Sequence, residues 1–333
     1  NFLFFQNFKN FLLSLMLIIN FLILLMGLFL VVKGADILIS SAVAIGKRYG
    51  VSDFFIGLIV IGFGTSLPEL LVSIDAIIKK SPEISIGNVI GSNISNILLV
   101  LGAALLISKI DLRKISRFDI FFHLIAHIFF LLIVGLFIFD YKIGLVFLIL
   151  FSFYMYKSLN NSLSKNENEI ETNDFLTKIV FKKPLIIGLP TVIFSIILTF
   201  FGAEFTVDSV IEISNFFGIS DSFLALTLVA LGTSLPEIIT SIRAAQKKMF
   251  ELIIGNIIGS NIYNLLLILG FVSLFEAFSF PKDILFFEVI FLFVCTVGFS
   301  FLLYVKNELS KKFSWVFIIF YLFYLLKLLL TNF

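Results

Sequence analysis

Charge is scarce in this 333-residue chain: Asp, Glu, Lys and Arg make up 14% of it, against 60% hydrophobic residues and a mean hydropathy of +1.13. That balance excludes an ordinary soluble domain. The net charge of only +2 offers no basic face for nucleic acid. A single cysteine, Cys295, rules out an intrachain disulfide and leaves the compartment undecided. No nucleophile–base pair or metal motif stands at membrane depth, so the chain does not read as an enzyme and no cofactor is expected. His123 and His127 are spaced i, i+4, but the metalloprotease pattern needs Glu at the next position, where this chain has Leu124. The chain also opens on Asn1 rather than Met and reads as incomplete or cut from a longer product.

Hydrocarbon fills the rest. Apolar stretches of about 20 residues recur, each long enough to cross roughly 30 Å of membrane interior. The expected fold is an all-α polytopic membrane protein, and ten transmembrane helices fit the pattern. The first five run Leu12 to Arg48, Ser52 to Lys80, Pro82 to Ser108, Arg117 to Phe139 and Ile143 to Lys157. The second five run Pro184 to Phe217, Asp221 to Lys248, Phe250 to Phe275, Ile284 to Val305 and Lys312 to Leu330. Residues 11–32 are too long and too apolar for a signal-peptide core. A polar stretch from Asn160 to Thr177 resembles a soluble linker. The expected organisation is a first repeat over residues 1–159, a linker over 160–180 and a second repeat over 181–333. The 45 Phe read as lipid-facing and carry no functional weight.

The two halves are copies of one another. Gly64-Thr65-Ser66-Leu67-Pro68-Glu69 recurs letter for letter as Gly232-Thr233-Ser234-Leu235-Pro236-Glu237. A second motif, Gly87 to Asn96, recurs from Gly255 to Asn264 at the same offset of 168 residues. Between Gly34–Gly102 and Gly202–Gly270 about half of the positions are identical without gaps. Five spans per copy is an odd number, so the second copy enters the membrane from the opposite side and the repeats are inverted. With the N-terminus outside, the inside segments hold 17 Lys and Arg, among them Arg113, Lys114, Lys182, Lys183 and Arg243, against six outside. That asymmetry follows the positive-inside rule. The expected setting is the plasma (cell inner) membrane, with both termini outside and the linker cytoplasmic.

Polar residues buried in apolar sequence carry the chemistry. A carboxylate in the middle of a membrane helix is costly and marks an ion or substrate pathway. Pro68 has no N–H to give the carbonyl of Gly64, and Pro236 leaves Gly232 in the same state, so each helix kinks. Carbonyls freed in this way are tolerated only where they line a polar cavity. Thr65 and Glu69 share a helix face at i, i+4. Asn88, Ser92 and Asn96 form a polar stripe, repeated by Asn256, Ser260 and Asn264. Gly87 with Gly91, and Gly255 with Gly259, are small-residue pairs that admit a close neighbour. The donor set is all oxygen, which selects hard cations such as Ca2+ and Na+ over Zn2+ or Cu. Glu69 and Glu237 together supply two negative charges, enough for one Ca2+ or two Na+, and competition for them is a physical basis for exchange.

These motifs resemble the paired alpha repeats of the cation/Ca2+ exchanger superfamily, in particular its sodium/calcium exchanger branch of prokaryotic type. The resemblance implies Ca2+ extrusion driven by Na+ entry, with the first and sixth helices sliding to alternate access. It implies Glu69 and Glu237 as central ligands. Thr65, Ser66, Ser92 and Asn96, with Thr233, Ser234, Ser260 and Asn264, would complete the ion sites, joined by the carbonyls of Gly62 and Ala230. Several family members carry Asp where this chain has Asn264, so the cage has one titratable group fewer, which bears on stoichiometry and K+ dependence. The rivals are an H+-coupled or K+-dependent Ca2+ antiporter and a passive cation channel. A GNxxE-like motif, usual in the H+-coupled branch, is replaced here by GTSLPE. Inverted repeats within one chain speak against a channel. Ca2+, Na+ and the lipid bilayer are the expected partners, with no obligatory protein partner.

Other polar residues have bland readings beside functional ones. Asn88, Asn93, Asn256 and Asn261 serve equally well as ties between helices. Asp36 and Glu204 suit either a cation vestibule or hydration of helix ends. Asp53 and Asp221 follow Ser52 and Ser220 at helix starts, where capping is the better explanation. Glu288 reads as snorkelling or paired with a neighbour.

Overall fold

The computed structural model describes residues 2–78, 80, 82–136, 138–163, 175–216, 233–279 and 282–331. Nearly all of them are helical, as backbone in lipid must be, because a helix satisfies its own N–H and C=O groups. Helix α1 (Phe2–Arg48) leads into α2 (Asp53–Ile56), a π-helical turn (Gly57–Ile61), α3 (Gly62–Thr65) and α4 (Leu67–Ile78). Next come α5 (Pro82–Ser95), a π-helical turn (Asn96–Val100), α6 (Leu101–Ile107), α7 (Arg117–Leu136), α8 (Tyr141–Ser162) and α9 (Phe175–Lys182). A π-helical turn (Pro184–Gly188) opens α10 (Leu189–Phe216). The rest comprises α11 (Leu235–Gln246), α12 (Phe250–Ile262), a π-helical turn (Tyr263–Ile268), α13 (Leu269–Val272), α14 (Lys282–Val305) and α15 (Lys312–Thr331).

Among the described residues seven helices are long and apolar enough to cross a membrane, or eight if the bent pair Asp53–Thr65 and Leu67–Ile78 is one span. The chain is therefore a multi-pass integral membrane protein. The start of the expected seventh span, from Asp221, lies outside the described residues, as do Gly218, Ser220 and Gly232. Ser52 caps α2 as expected, its Oγ accepting from the Phe55 N–H at 3.3 Å.

Three sequence expectations are refined. The fold is not wholly helical: β1 (Ile110–Asp111) pairs antiparallel with β4 (Glu308–Leu309), and β2 (Ile138–Phe139) with β3 (Phe278–Ser279). These two-residue strands satisfy backbone groups where a helix has stopped, and the Phe139 and Phe278 rings stack at 5.3 Å. The fourth expected span accordingly ends at Leu136 instead of Phe139. Both ends of the expected linker are helical as well, since α8 runs to Ser162 and α9 begins at Phe175; residues 164–174 lie outside the described set. Asp140 caps α8 through the Lys142 and Ile143 N–H groups at 3.0 and 3.1 Å, and Tyr154 and Ser158 both donate to Asp119 of α7 at 2.9 Å. Those bonds extend α8 at both ends beyond its apolar stretch.

Beside β1, the Arg113 guanidinium holds the Asp111 carboxyl down at about 2. A lowered carboxylate stabilises the fold above its ordinary titration range, and that contribution is lost as pH falls through about 2.

Helices α1 and α10 cross with their backbones in contact. A Cβ on Gly27 would stand 2.8 Å from the Gly202 carbonyl oxygen, and one on Gly202 would stand 2.7 Å from the Val31 nitrogen. The outer side of the pair is bare apolar surface: only 11% of the most apolar window in Leu15–Arg48 is buried, against 94% for Phe250–Val272. The core therefore centres on α12 and its neighbours. Polar bonds tie α1 to α11, with Arg243 donating to both Asp36 carboxylate oxygens at 2.8 and 2.5 Å and Lys247 3.7 Å from Asp36. Asp36 is thus an interhelix tie.

Glu288 of α14 is paired rather than snorkelling. Its side chain is 5% exposed, and Lys327 of α15 stands 3.5 Å away and 4.1 Å from the Phe287 ring centroid. Removing one partner of a buried ion pair costs about 3–5 kcal/mol, whereas removing both is often neutral. Lys327→Met is therefore expected to lower the melting temperature of the purified protein, and the added Glu288→Gln to restore most of it. A double variant no more stable than the single would disprove the pairing.

Candidate functional site

A broken helix and the start of α11 build the centre of the molecule. Without an N–H, Pro68 cannot continue the ladder, and α3 stops at Thr65 while α4 restarts at Leu67, the two bent by 41°. Ser66 sits at the break with φ −86° and ψ 7°. Ser234 holds φ −83° and ψ 0° immediately before α11. The duplicated sequence thus repeats its backbone conformation at both serines.

Those breaks turn the two halves toward each other. Ser66 donates to Glu237 Oε1 at 3.3 Å, and the Thr65 hydroxyl also reaches Glu237. Reciprocally, Thr233 bonds to Glu69. Thr65, expected to share a face with Glu69, has its hydroxyl between its own helix and the other half's carboxylate. It also bonds back to the Ile61 carbonyl at 3.0 Å. Ser92 of α5 donates to Glu69 Oε1 at 3.4 Å, while Ser260 of α12 donates to the Gly62 carbonyl at 3.4 Å. Ala230 lies outside the described residues.

Both carboxylates are 1% exposed, and Asn96, Asn264 and Ser234 are equally enclosed. Among the described residues, Glu69 Oε2, Glu237 Oε2, Asn96 Oδ1, Asn264 Oδ1 and the Ser234 hydroxyl have no hydrogen-bond partner. Buried polar atoms are normally satisfied, because each unpaired one costs about 1–3 kcal/mol. All five are oxygens, carried by the duplicated motifs, and oxygens of this kind suit a hard cation.

Behind this set stands a second layer that the sequence motifs marked only as helix ties. Asn88 donates to the Glu69 carbonyl and to Ser73, both at 3.0 Å, and Asn256 donates to Ser241 at 3.1 Å. Asn264 donates to Asn93 Oδ1 at 3.0 Å, and Asn93 donates to the Asn261 carbonyl at 3.2 Å. Asn261 in turn meets His123 of α7 at 3.2 Å. His123 was set aside as a metal ligand, and among the described residues no group of three or more His, Cys, Asp or Glu could hold a metal ion. The glycine pairs differ. Gly255 and Gly259 meet the backbone of Phe54 and Leu58 as expected, but a Cβ on Gly91 would meet only the Tyr324 hydroxyl at 3.9 Å. Asn88 and Ser92 lie within the regular helix α5, and Asn96 stands where it gives way to a π-helical turn.

Fold and site together define a polytopic membrane protein with a buried, oxygen-lined, two-carboxylate cage between duplicated motifs. Comparison with known proteins agrees. The sodium/calcium exchanger protein family matches residues 19–160 and 187–330, and the chain belongs to that family. It is 34% identical to the sodium/calcium exchanger MaX1 of Methanosarcina acetivorans, over 82% of this chain and 87% of the relative. It is 35% identical to MJ0091, an uncharacterised membrane protein of Methanocaldococcus jannaschii, over 94% and 98%. A solved structure of the sodium-calcium exchanger NCX_Mj, soaked with zero Na+ and Ca2+, superposes with a TM-score of 0.79 at 32% identity, covering 94% of this chain and 99% of that one.

Proposed function

We propose that this chain is a secondary active antiporter that moves Ca2+ against Na+ by alternating access. One observation carries the reading: two enclosed carboxylates from different halves, cross-braced by Ser66, Thr65 and Thr233, each with one oxygen that has no partner among the described residues. Ca2+ would be the doubly charged cargo that the two carboxylates neutralise, and Na+ would replace it at the same oxygens. The ligands in this reading are Glu69, Glu237, Thr65, Thr233, Ser66, Ser234, Ser92, Ser260, Asn96 and Asn264, with the carbonyls of Gly62 and Ala230. Ser92 and Ser234 hold hydroxyls toward the cage, and Asn96 and Asn264 add neutral amide oxygens where an Asp would add charge.

The duplicated motifs support a plan of ten spans in two inverted five-helix repeats, with α1 and α10 as the sliding pair. Lys and Arg distribution supports a plasma-membrane topology with both termini outside and residues 160–180 cytoplasmic.

The test is 45Ca2+ uptake into proteoliposomes loaded with Na+, with vesicles carrying a pH gradient instead as the second arm. Uptake is expected to require internal Na+, to ignore the pH gradient and to proceed without K+. Uptake that follows the proton gradient would move the chain to H+ coupling. Uptake without any opposing gradient would make it a channel.

A further inference from the structure

The structure assigns His123 a positioning role in ion binding, as the anchor of the asparagine chain that orients Asn264. The inference rests on the reading of Asn264 as an ion-site residue. Asn264 can present its Oδ1 to a cation only if its amide is held the right way round. Asn93 does that by accepting from Asn264 Nδ2 at 3.0 Å, which leaves Asn264 Oδ1 without a partner among the described residues. Asn93 is held in its own turn, donating through Nδ2 to the Asn261 carbonyl at 3.2 Å.

The chain ends at α7. Asn261 Nδ2 lies 3.2 Å from His123 Nε2. An amide nitrogen only donates, so the imidazole accepts at Nε2 and carries its proton on Nδ1. His127 braces the helix behind it, its Nδ1 meeting the His123 carbonyl at 2.8 Å. His123, Asn261, Asn93 and Asn264 are all fully buried, so water does not stand in for a lost bond. Every group in the chain is fixed by the next.

The duplication shows why this residue is separate from the shared cage. In the first copy Asn93 finds its acceptor on the backbone of the other half; in the second copy Asn261 finds a side chain on a different helix. The residue 168 positions after His123 is Phe291, whose ring stacks on Tyr324 at 5.4 Å. An aromatic without an acceptor therefore stands at that position of the second copy. His123 adds an anchor to one side of the cage only.

The test compares two amides. In His123→Gln the side-chain amide reaches the place of Nε2 and can accept from Asn261; in His123→Asn it falls one bond short, at the place of Nδ1. Na+-driven 45Ca2+ uptake is measured over a range of Ca2+ concentrations, normalised to protein in the vesicles. H123N is expected to raise the half-saturating Ca2+ concentration about tenfold with maximal rate within about twofold, and H123Q to stay near the unmodified protein. His123→Leu, which removes the acceptor, gives the same shift and replaces H123N where that variant does not accumulate. Equal half-saturation in H123N and H123Q, or a defect confined to maximal rate or yield, would overturn the positioning role. Asn264→Ala is run beside them. If N264A also leaves half-saturation unchanged, the ion-site reading itself fails; if N264A is impaired and H123N is not, only the role of His123 falls.

Discussion

Glu69→Gln is expected to cut Na+-driven Ca2+ uptake by at least about 100-fold, with Glu237→Gln close behind. Gln keeps the shape of Glu and keeps an oxygen to accept from Ser92, now 3.4 Å from Glu69 Oε1. What changes is charge. With both carboxylates the cage carries two negative charges and a bound Ca2+ is neutralised; with one it carries a surplus positive charge into an enclosed site. Taking an uncompensated charge out of water costs several kcal/mol, more than the neutral oxygens of Asn96 and Asn264 restore. Initial rates of 45Ca2+ uptake, normalised to protein in the membrane, measure the effect. A variant that kept a tenth or more of the activity would show that charge neutralisation at Glu69 is not what binds Ca2+.

The second large effect is structural in origin. Gly259→Ala is expected to destabilise the protein by about 1–3 kcal/mol and to lower Na+-driven uptake along with it. A Cβ there would stand 2.6 Å from the Leu58 carbonyl oxygen and 2.9 Å from its Cα. On the facing helical segment, a Cβ on Gly57 would stand 2.9 Å from the Leu252 Cα. These are main-chain atoms, so no rotamer change relieves the overlap and α12 must move away from the second span. That movement draws Ser260 from the Gly62 carbonyl it meets at 3.4 Å. Gly91→Ala is the control, since its added methyl meets only Tyr324 Oη at 3.9 Å. Melting temperatures of the two purified variants check the contrast. If G259A were as stable as G91A, the helix contact would be looser than the backbone distances imply.

Much of this site was legible because it consists of polar residues in apolar sequence, twice. Glu69, Ser66 and Pro68 could be singled out with their partners' halves unknown, since duplication supplied the spacing and lipid supplied the cost. Partners across helices were a different matter. Thr65 bonds back to the Ile61 carbonyl and also reaches Glu237 of the other half, a neighbour that i, i+4 spacing does not name. Asp36 pairs with Arg243 at a separation of 207 residues, and His123 meets Asn261 at 138, both set by how helices are rotated about their axes when packed. Periodicity fixes which residues share a face, not which neighbour that face meets. Gly91 and Gly259 show the same limit, having identical local sequence and different surroundings. The small strands beside Leu136 and Ser310 were hidden for a further reason: two residues are too few to display an alternating pattern.

Helices α1 and α10 are locked to each other by glycine yet leave their outer apolar faces bare, through residues such as Leu22, Leu25, Phe29, Leu189 and Phe194. If the pair slides as proposed above, it moves past a fluid on one side and a packed core on the other. Acyl chains, unlike side chains in a close-packed interior, rearrange without unseating any partner. In that reading the bilayer acts as a bearing, and its thickness would set how far the pair travels before apolar surface leaves the hydrocarbon.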